Sequence, residues 1–594
     1  MTAQPDALLR LVREASHCLV FHRDPSKHNG MNGAPDEPAA QAPADEAAGG
    51  RRYGAALGAT VALVIAALMA CYLLASRRAV GEFGFPLDDS WIHVRFAQNL
   101  ARGYGFSFNP GQPASTTTGP LWTLVLALGY RLTGEYLFTS AALNWLFCLL
   151  AALTAGALAR TLIPNRSFGA AAALLVAVTI PLPWLALSGM EPALSVWLAL
   201  LAILLHVRWR HTGGVKSLAP TLVFGLAVYS RPELVLLFPL AMLDRLLMAA
   251  REQPGGRYAV GWLKDIGLHT PLFAAIVAPL VIYNERVIGR PLPSSYYVKA
   301  WNFGITWALA MRDNRLLMQS LFIAPLKEIG ALLLMWAGNN VVLIAPFVYA
   351  FVRMIRAPLS SPQRSLLIPL LLFVQPVAWA VSTNFHRAPW FQSQRYVANL
   401  GPLYLIVGLA GAWWLWNQRF GERRRPLLFA GLALVLAASL ARHPDQARMY
   451  ALNVKNITQM QVTTARWLKR HVPKDSLLGA NDVGAIAAIT DMRVLDMIGL
   501  VSPEIIRHLT FENARTGAWQ RLVWQEAAQR RVDYLVVVMR PERYQGFIRA
   551  GDKPIFRTEI TDNITCGGPL IVVFEPRWKV SKKAPQTAST SGTP

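Results

Sequence analysis

Apolar residues gather in long unbroken runs along this chain. Residues 55–75, 136–159, 167–190, 329–352 and 397–417 carry no charged side chain. Each run is close to the roughly 20 residues that a helix needs to cross ~30 Å of hydrocarbon. Adding the more interrupted segments gives about eleven predicted spans, near 55–75, 136–159, 167–189, 192–207, 217–230, 233–249, 267–284, 329–352, 366–382, 397–417 and 427–441. Asp244 and Arg245 interrupt the sixth and read as a local ion pair at the membrane boundary. The apolar segment Gly119–Tyr130 has only twelve residues. As a helix it reaches about 18 Å, so it is predicted to lie at the interface rather than to cross.

Basic residues set the sidedness. Arg51 and Arg52 precede the first span, and later clusters such as Arg208, Arg210 and Lys216, or Arg419 with Arg423–Arg425, fall in alternate loops. If 119–130 does not cross, all of these loops are cytoplasmic, as the positive-inside rule prefers. The N-terminus is then cytoplasmic, and everything after Ala441 lies outside. The outward parts are the loop 76–135, turns at 188–192, 230–233 and 383–396, the loop 285–328, and a C-terminal domain.

The expected fold is thus an all-α polytopic membrane domain followed by a small α/β extracytoplasmic domain. The expected boundaries are a cytoplasmic tail at 1–50, a membrane domain at 51–442, an α/β domain at 443–580 and a low-complexity tail at 581–594. Within the α/β domain, Ile457–His471 reads as helix, and Leu477–Ala480, Val494–Leu495, Asp533–Val538 and Leu570–Phe574 read as strands. Residues 1–50 lack a core pattern beyond Leu8–Val12 and read as disordered, with Met31 as an alternative start. The run at 55–75 lacks a small-residue cleavage pattern and reads as an anchor, not a signal peptide.

Composition agrees. Hydrophobic residues make up 54% of the 594 and charged residues 15%, and mean hydropathy is +0.32. Soluble domains carry about 25% charged residues. The net charge of +24 sits in short loops between spans and not in a basic domain, which excludes a nucleic-acid partner. The four cysteines, Cys18, Cys71, Cys148 and Cys566, supply neither a disulfide framework nor a zinc pattern.

The unusual polar residues fall on the outward face. Asp88 and Asp89 follow the first span in Phe85-Pro-Leu-Asp-Asp-Ser-Trp-Ile-His-Val-Arg95. Asp and Ser are favoured at helix starts, so Leu87-Asp-Asp-Ser90 is expected to cap a helix from about Trp91 to Arg102. A carboxylate at the hydrocarbon boundary also suits removal of a proton from an attacking hydroxyl. Gly103–Gln112 is turn-rich and aromatic and reads as an irregular loop. His93, Arg95, Glu191, Arg231, Glu233, Lys299, His386, Arg395 and Tyr396 are the candidate substrate-binding residues, with Arg387 beside His386. Charges this close to hydrocarbon are costly unless paired or functional, and converging cations suit a phosphate. Each also has an ordinary reading, as interfacial anchor, turn residue or structural pair.

Several motifs carry a family resemblance: Leu87-Asp-Asp-Ser-Trp-Ile-His-Val-Arg-Phe-Ala-Gln-Asn-Leu100 with Gly103-Tyr-Gly-Phe-Ser-Phe-Asn-Pro-Gly111, Thr118-Gly-Pro-Leu-Trp122, Ser188-Gly-Met-Glu191, Ser230-Arg-Pro-Glu233 and Pro291-Leu-Pro-Ser-Ser-Tyr-Tyr-Val-Lys299. Over about 55–410 the chain resembles the GT-C superfamily of membrane glycosyltransferases that use polyprenyl-phosphate sugars, and looks closest to the branch of the mycobacterial terminal β-arabinofuranosyltransferase. The resemblance implies an inverting transfer to a glycan or glycolipid hydroxyl on the outer face of the inner membrane. Asp88 or Asp89 would be the base, the lipid phosphate would leave, and no cofactor is implied beyond an open question of a divalent metal. The loop departs from the family at Ala114-Ser-Thr-Thr-Thr-Gly-Pro-Leu-Trp122, where related chains carry acidic and aromatic residues, which leaves the donor sugar open. The competing class is a transporter or flippase for a lipid-linked sugar. That class predicts paired broken spans in two repeats, and the sequence has no such symmetry.

Overall fold

Helices occupy the apolar runs because hydrocarbon leaves backbone N–H and C=O groups no partner but each other. The computed structural model describes residues 44–115, 117–209, 215–252, 257–300, 304–356, 365–383, 391–539 and 548–580. Among these, six helices are long and apolar enough to cross a membrane: Gly49–Val80, Tyr136–Leu162, Pro192–Trp209, Val260–Ile288, Asn314–Arg356 and Glu422–His471. Arg166–Ala177 and Pro181–Leu187 make a further broken span, bent by 59° beside Pro181 and Pro183. Ala219–Ser230 and Leu367–Thr383 are shorter apolar helices, and Leu400–Phe420 covers the predicted tenth span. The protein is therefore multi-pass, with several of the predicted spans built as short or broken helices. Helix Pro120–Thr133 has 14 residues, about 21 Å, too short to cross.

Small residues bring the helices together. A Cβ on Gly156 would stand 2.6 Å from the Gly169 carbonyl oxygen, so only glycine allows this backbone approach. The span predicted at 329–352 lies inside Asn314–Arg356, with a local break at Asn340 (φ −152°, ψ 70°), whose freed carbonyl accepts from Tyr404 Oη at 3.1 Å. One expectation is corrected here. Asp244 and Arg245 do not pair with each other. Successive helix positions point 100° apart, so they meet different partners. Asp244 accepts from His206 Nε2 at 2.7 Å and Ser365 Oγ at 3.0 Å, and Arg245 Nε donates to Asp265 at 2.9 Å.

The first loop forms helix Asp88–Ala101, then a ribbon of β1 (Ser107–Asn109) and β2 (Gln112–Pro113). The segment expected to be irregular is thus partly an antiparallel pair. Its shape is held from outside the ribbon: Asn99 Nδ2 donates to the Ser107 and Phe108 carbonyls, and Tyr283 Oη donates to those of Phe106 and Ala114.

The C-terminal domain contains β3 (Leu477–Ala480), β4 (Arg493–Asp496), β5 (Tyr534–Met539), β6 (Lys553–Glu559) and β7 (Leu570–Glu575), ordered β4-β3-β5-β7-β6. β3 runs parallel to β4 and β5, and β7 antiparallel to β5 and β6. The four apolar strands fall where the sequence placed them. β6 was not anticipated, because as a largely exposed edge strand it reads Lys-Pro-Ile-Phe-Arg-Thr-Glu. The helix expected at 457–471 starts earlier, at His443, and passes through a π-helical turn at Thr458–Val462. Its first turns lie along helix Ala44–Val80, where Tyr72 Oη is 3.0 Å from His443 Nδ1, and Asn453 accepts from Trp184 Nε1 at 3.0 Å. The α/β domain is thereby fixed over helix Asp88–Ala101.

Candidate active site

The two first-loop aspartates face different parts of the molecule. Asp88 is only 6% exposed. Its carboxylate accepts from the backbone N–H of Gly484 at 2.7 Å and of Ala485 at 2.8 Å, so it caps helix Gly484–Thr490 of the C-terminal domain. This corrects the expectation that it caps its own helix, where the preceding residue is Leu87 and no side-chain cap bond forms. Gly484 is required by the contact, since a Cβ there would stand 2.1 Å from the Asp88 carbonyl oxygen. Behind Asp88 lies Asp482, held by Gln461 Nε2 at 2.7 Å. Burial and the neighbouring Asp88 charge push the Asp482 carboxyl well above its usual range. The raised carboxyl favours a proton shared between the two acids.

Asp89 points the other way, and its side chain keeps 41% exposure. Arg395 Nη2 donates to Asp89 Oδ2 at 2.7 Å. Burial raises the Asp89 carboxyl, but Arg395, Lys299 and His93 outweigh it and hold the group below the usual carboxylate range. Asp89 is accordingly an accessible anion at neutral pH.

Cations surround Tyr396. Its ring has Arg395 Cζ and Lys299 Nζ each at 4.8 Å and Arg231 Cζ at 5.4 Å. Its hydroxyl accepts from Arg395 Nη2 at 2.8 Å, and Trp379 stacks on it at 5.2 Å. Burial raises the phenol, yet the three cations pull it below its ordinary value. The ring's negative face attracts the three positive groups, and the carboxylates of Asp89, Glu191 and Glu233 offset their charge.

Glu191 underpins this cluster. It is fully buried (0% exposed). Arg231 Nη1 donates to Oε1 at 2.9 Å, Thr118 Oγ1 donates to the same atom at 3.3 Å, and His93 Nε2 lies 3.1 Å from Oε2. Arg231 Nε turns to Glu233 at 2.6 Å. Burial raises the Glu191 carboxyl, but His93 and Arg231 drive it far below the usual range. Oε1 is engaged by Arg231 and Thr118 while Oε2 faces His93, so its part is to orient His93 and Arg231.

Asp89, His93, Glu191, Arg231, Glu233, Lys299, Arg395 and Tyr396 therefore form one connected group. Asp88 and Arg95 stand apart from it. Arg95 is fully buried, donates through Nε to the Phe108 carbonyl at 3.0 Å and pairs with Asp491, tying the ribbon to the C-terminal domain. His386 and its neighbour Arg387 lie outside the described residues. Sequence reasoning missed Met190, whose sulfur is 3.0 Å from Arg395 Nη1, and Thr123, 3.3 Å from His93 Nδ1. Met190 lies within the Ser188-Gly-Met-Glu191 motif but as an apolar residue gives no chemical signal, and a helical threonine at 123 is ordinary. Asp482 and Asp491 were missed because their partners lie almost 400 positions earlier. Among the described residues no group of three or more His, Cys, Asp or Glu side chains converges to hold a metal ion.

A family described as a domain of unknown function (DUF8728) matches residues 453–584. No curated protein matches the chain. Among solved structures, ArnT from Cupriavidus metallidurans bound to undecaprenyl phosphate aligns with a TM-score of 0.50 at 13% identity, covering 87% of this chain and 98% of that one. The apo state of the same protein aligns with a TM-score of 0.53 at 11% identity, covering 88% and 98%. At these identities the likeness is one of fold alone.

Proposed function

We propose that this protein is an inverting glycosyltransferase that moves a hexosyl or pentosyl group from a polyprenyl-phosphate donor to a hydroxyl of a cell-envelope glycan or glycolipid, at the outer face of the inner membrane. The observation that carries the reading is Asp89, an exposed carboxylate 2.7 Å from Arg395 inside a cluster that also holds Lys299 and Arg231. The ArnT-like fold supports it, since one of the ArnT structures holds undecaprenyl phosphate.

In this mechanism the acceptor hydroxyl gives its proton to Asp89 as its oxygen attacks the anomeric carbon. The bond from that carbon to the phosphate oxygen breaks, and the polyprenyl phosphate leaves with the electron pair. Arg395, Lys299 and Arg231 stabilise the charge growing on that oxygen. At rest Arg395 depresses the basicity of Asp89. A donor phosphate competes for the guanidinium, and its arrival frees Asp89 to act as a base. Donor binding and base activation are then one event.

The test is turnover of polyprenyl-phosphate hexose and pentose donors by the purified protein with a cell-envelope glycolipid and glycan extract as acceptor, read as released polyprenyl phosphate. Glycan analysis of a deletion strain identifies the acceptor. The wild type is expected to release the lipid phosphate and Asp89→Asn to lose that release. Undiminished release by Asp89→Asn would remove Asp89 from the chemistry.

A further inference from the structure

Lys299 is carried by a segment that the C-terminal domain fastens. Helix Ser294–Ala300 has only seven residues. A helix this short is marginal by itself, so its place is set by what grips it. Lys299 follows Ser294 by about 7 Å along the helix axis, and its Nζ stands 4.8 Å from the centre of the Tyr396 ring. A lysine is a point charge on a flexible four-carbon stem. The backbone beneath it therefore decides how far the charge can stray from Tyr396.

Two grips meet at Ser294, which is buried. Its backbone N–H donates to Ser115 Oγ at 3.0 Å, and Ser115 Oγ donates to Asn284 Oδ1 at 3.2 Å, so the first loop holds it from one side. Its hydroxyl donates to the Leu500 carbonyl of the C-terminal domain. That carbonyl belongs to a tightly wound turn. The buried Asp496 carboxylate accepts from the N–H groups of Ile498 at 2.8 Å and Val501 at 2.9 Å. Gly499 takes φ +91°, and a Cβ there would stand 3.1 Å from the Ile506 nitrogen, so the turn needs glycine. A second contact lies beside the first. Arg290 Nη2 donates to the Leu509 carbonyl at 2.8 Å, and Ile288, Ile506 and Leu509 form a buried apolar cluster against which Tyr297 and Val298 pack. These contacts share no residue with those that the same domain makes through Asp88 and Asp491.

We propose that the C-terminal domain clamps the donor-phosphate site, with Ser294 as the positioning residue: the Leu500 carbonyl holds Ser294, and Ser294 holds Lys299 at the Tyr396 ring, where it meets the lipid phosphate. The proposal rests on the reading of the Arg395, Lys299 and Arg231 cluster as the donor-phosphate site. It gives the exported domain a second task, control of donor affinity, besides its support of the helix that bears Asp89. Small displacements matter at such a site, because a misplacement of about 1 Å can cost about 10²-fold in rate.

Purified full-length protein in detergent is titrated with undecaprenyl phosphate, and bound lipid is counted by native mass spectrometry alongside Tm. Ser294→Ala should weaken binding about tenfold, and Ser294→Thr, which keeps the hydroxyl, should restore most of the affinity. Lys299→Met should weaken binding as well. On that background Ser294→Ala should weaken it no further, because Ser294 acts only through Lys299. Gly499→Ala, which disturbs the Leu500 carbonyl from the domain side, should reproduce the defect of Ser294→Ala. A loss from Ser294→Ala that persists in full on the Lys299→Met background would overturn the proposal. Full affinity in both Ser294→Ala and Gly499→Ala, with or without a lower Tm, would overturn it too and leave Ser294 a purely structural residue. Wild-type protein that does not bind undecaprenyl phosphate, or Lys299→Met that binds it as tightly as wild type, would instead remove the donor-site reading and the clamp with it.

Discussion

At the scale of single residues, Asp88 and Asp89 are neighbours with separable work. Asp89→Asn keeps the size of the side chain and removes its basicity. Loss of a general base typically costs 10²–10⁴-fold, so turnover should fall by about that factor with Tm nearly unchanged. Asp88→Asn should do the reverse. Two backbone donors at Gly484 and Ala485 lose their carboxylate, at about 1–3 kcal/mol, so Tm falls while the residual folded protein turns over. Measuring turnover and Tm side by side on both variants distinguishes the roles, and the same phenotype in both would refute the division. Arg395 allows a test by pH. Because the Asp89 carboxyl sits below its usual range, the active anion is present above that depressed value and is lost only as pH falls through it. Removing the main depressing charge in Arg395→Ala should move the acid limb of kcat/KM to higher pH, besides weakening donor affinity. An acid limb that stays put would show that Arg395 does not set the basicity of Asp89.

At the scale of elements, helix Gly484–Thr490 depends on a partner outside its own domain. Its first two N–H groups are satisfied by Asp88, and Asp482 holds the proton that lets two acids share a buried space. An acid whose folded value is raised contributes stability that is complete below its unfolded value, near 4, and is lost as pH rises through the folded value. Hydrogen exchange of 484–490 in the wild type should therefore quicken as pH rises through the raised folded value, beyond its intrinsic pH dependence. Asp482→Asn, which resembles the protonated acid at every pH, should flatten that excess. An unchanged excess in the variant would exclude the pair as its source. The sequence displayed these elements unevenly. The four apolar strands and the short helix Pro120–Thr133 were legible because local periodicity and length decide them. The ribbon Ser107–Pro113 was not, because Asn99 and Tyr283 shape it from outside. Asp89 and the cations were legible as charges at the hydrocarbon edge. Their division from Asp88 and Arg95 was not, since it depends on where the C-terminal domain sits.

At the scale of the whole molecule, that domain is joined to the first loop by two separate contacts. One is the Asp88 cap on Gly484–Thr490, and the other is Asp491 with Arg95 and Arg102 at the opposite end of the same short helix. Both fall on helix Asp88–Ala101, which also carries Asp89 and His93. The domain therefore supports the helix that presents the candidate base, and the two should respond together. Breaking a buried pair from one side costs about 3–5 kcal/mol, but Asp491 is half exposed, so Asp491→Asn should cost well below that range. Asp88→Asn and Asp491→Asn act on one helix pair. Their combined effect should depart from the sum of the single effects by about 0.5 kcal/mol or more, the threshold at which coupled sites are recognised. Hydrogen exchange should rise in 88–101 and 484–490 together in the double variant, with turnover falling because Asp89 and His93 lose their fixed placement over Glu191 and Arg395. Strict additivity, with faster exchange confined to 484–490, would mean that the domain rests on the first loop without holding it.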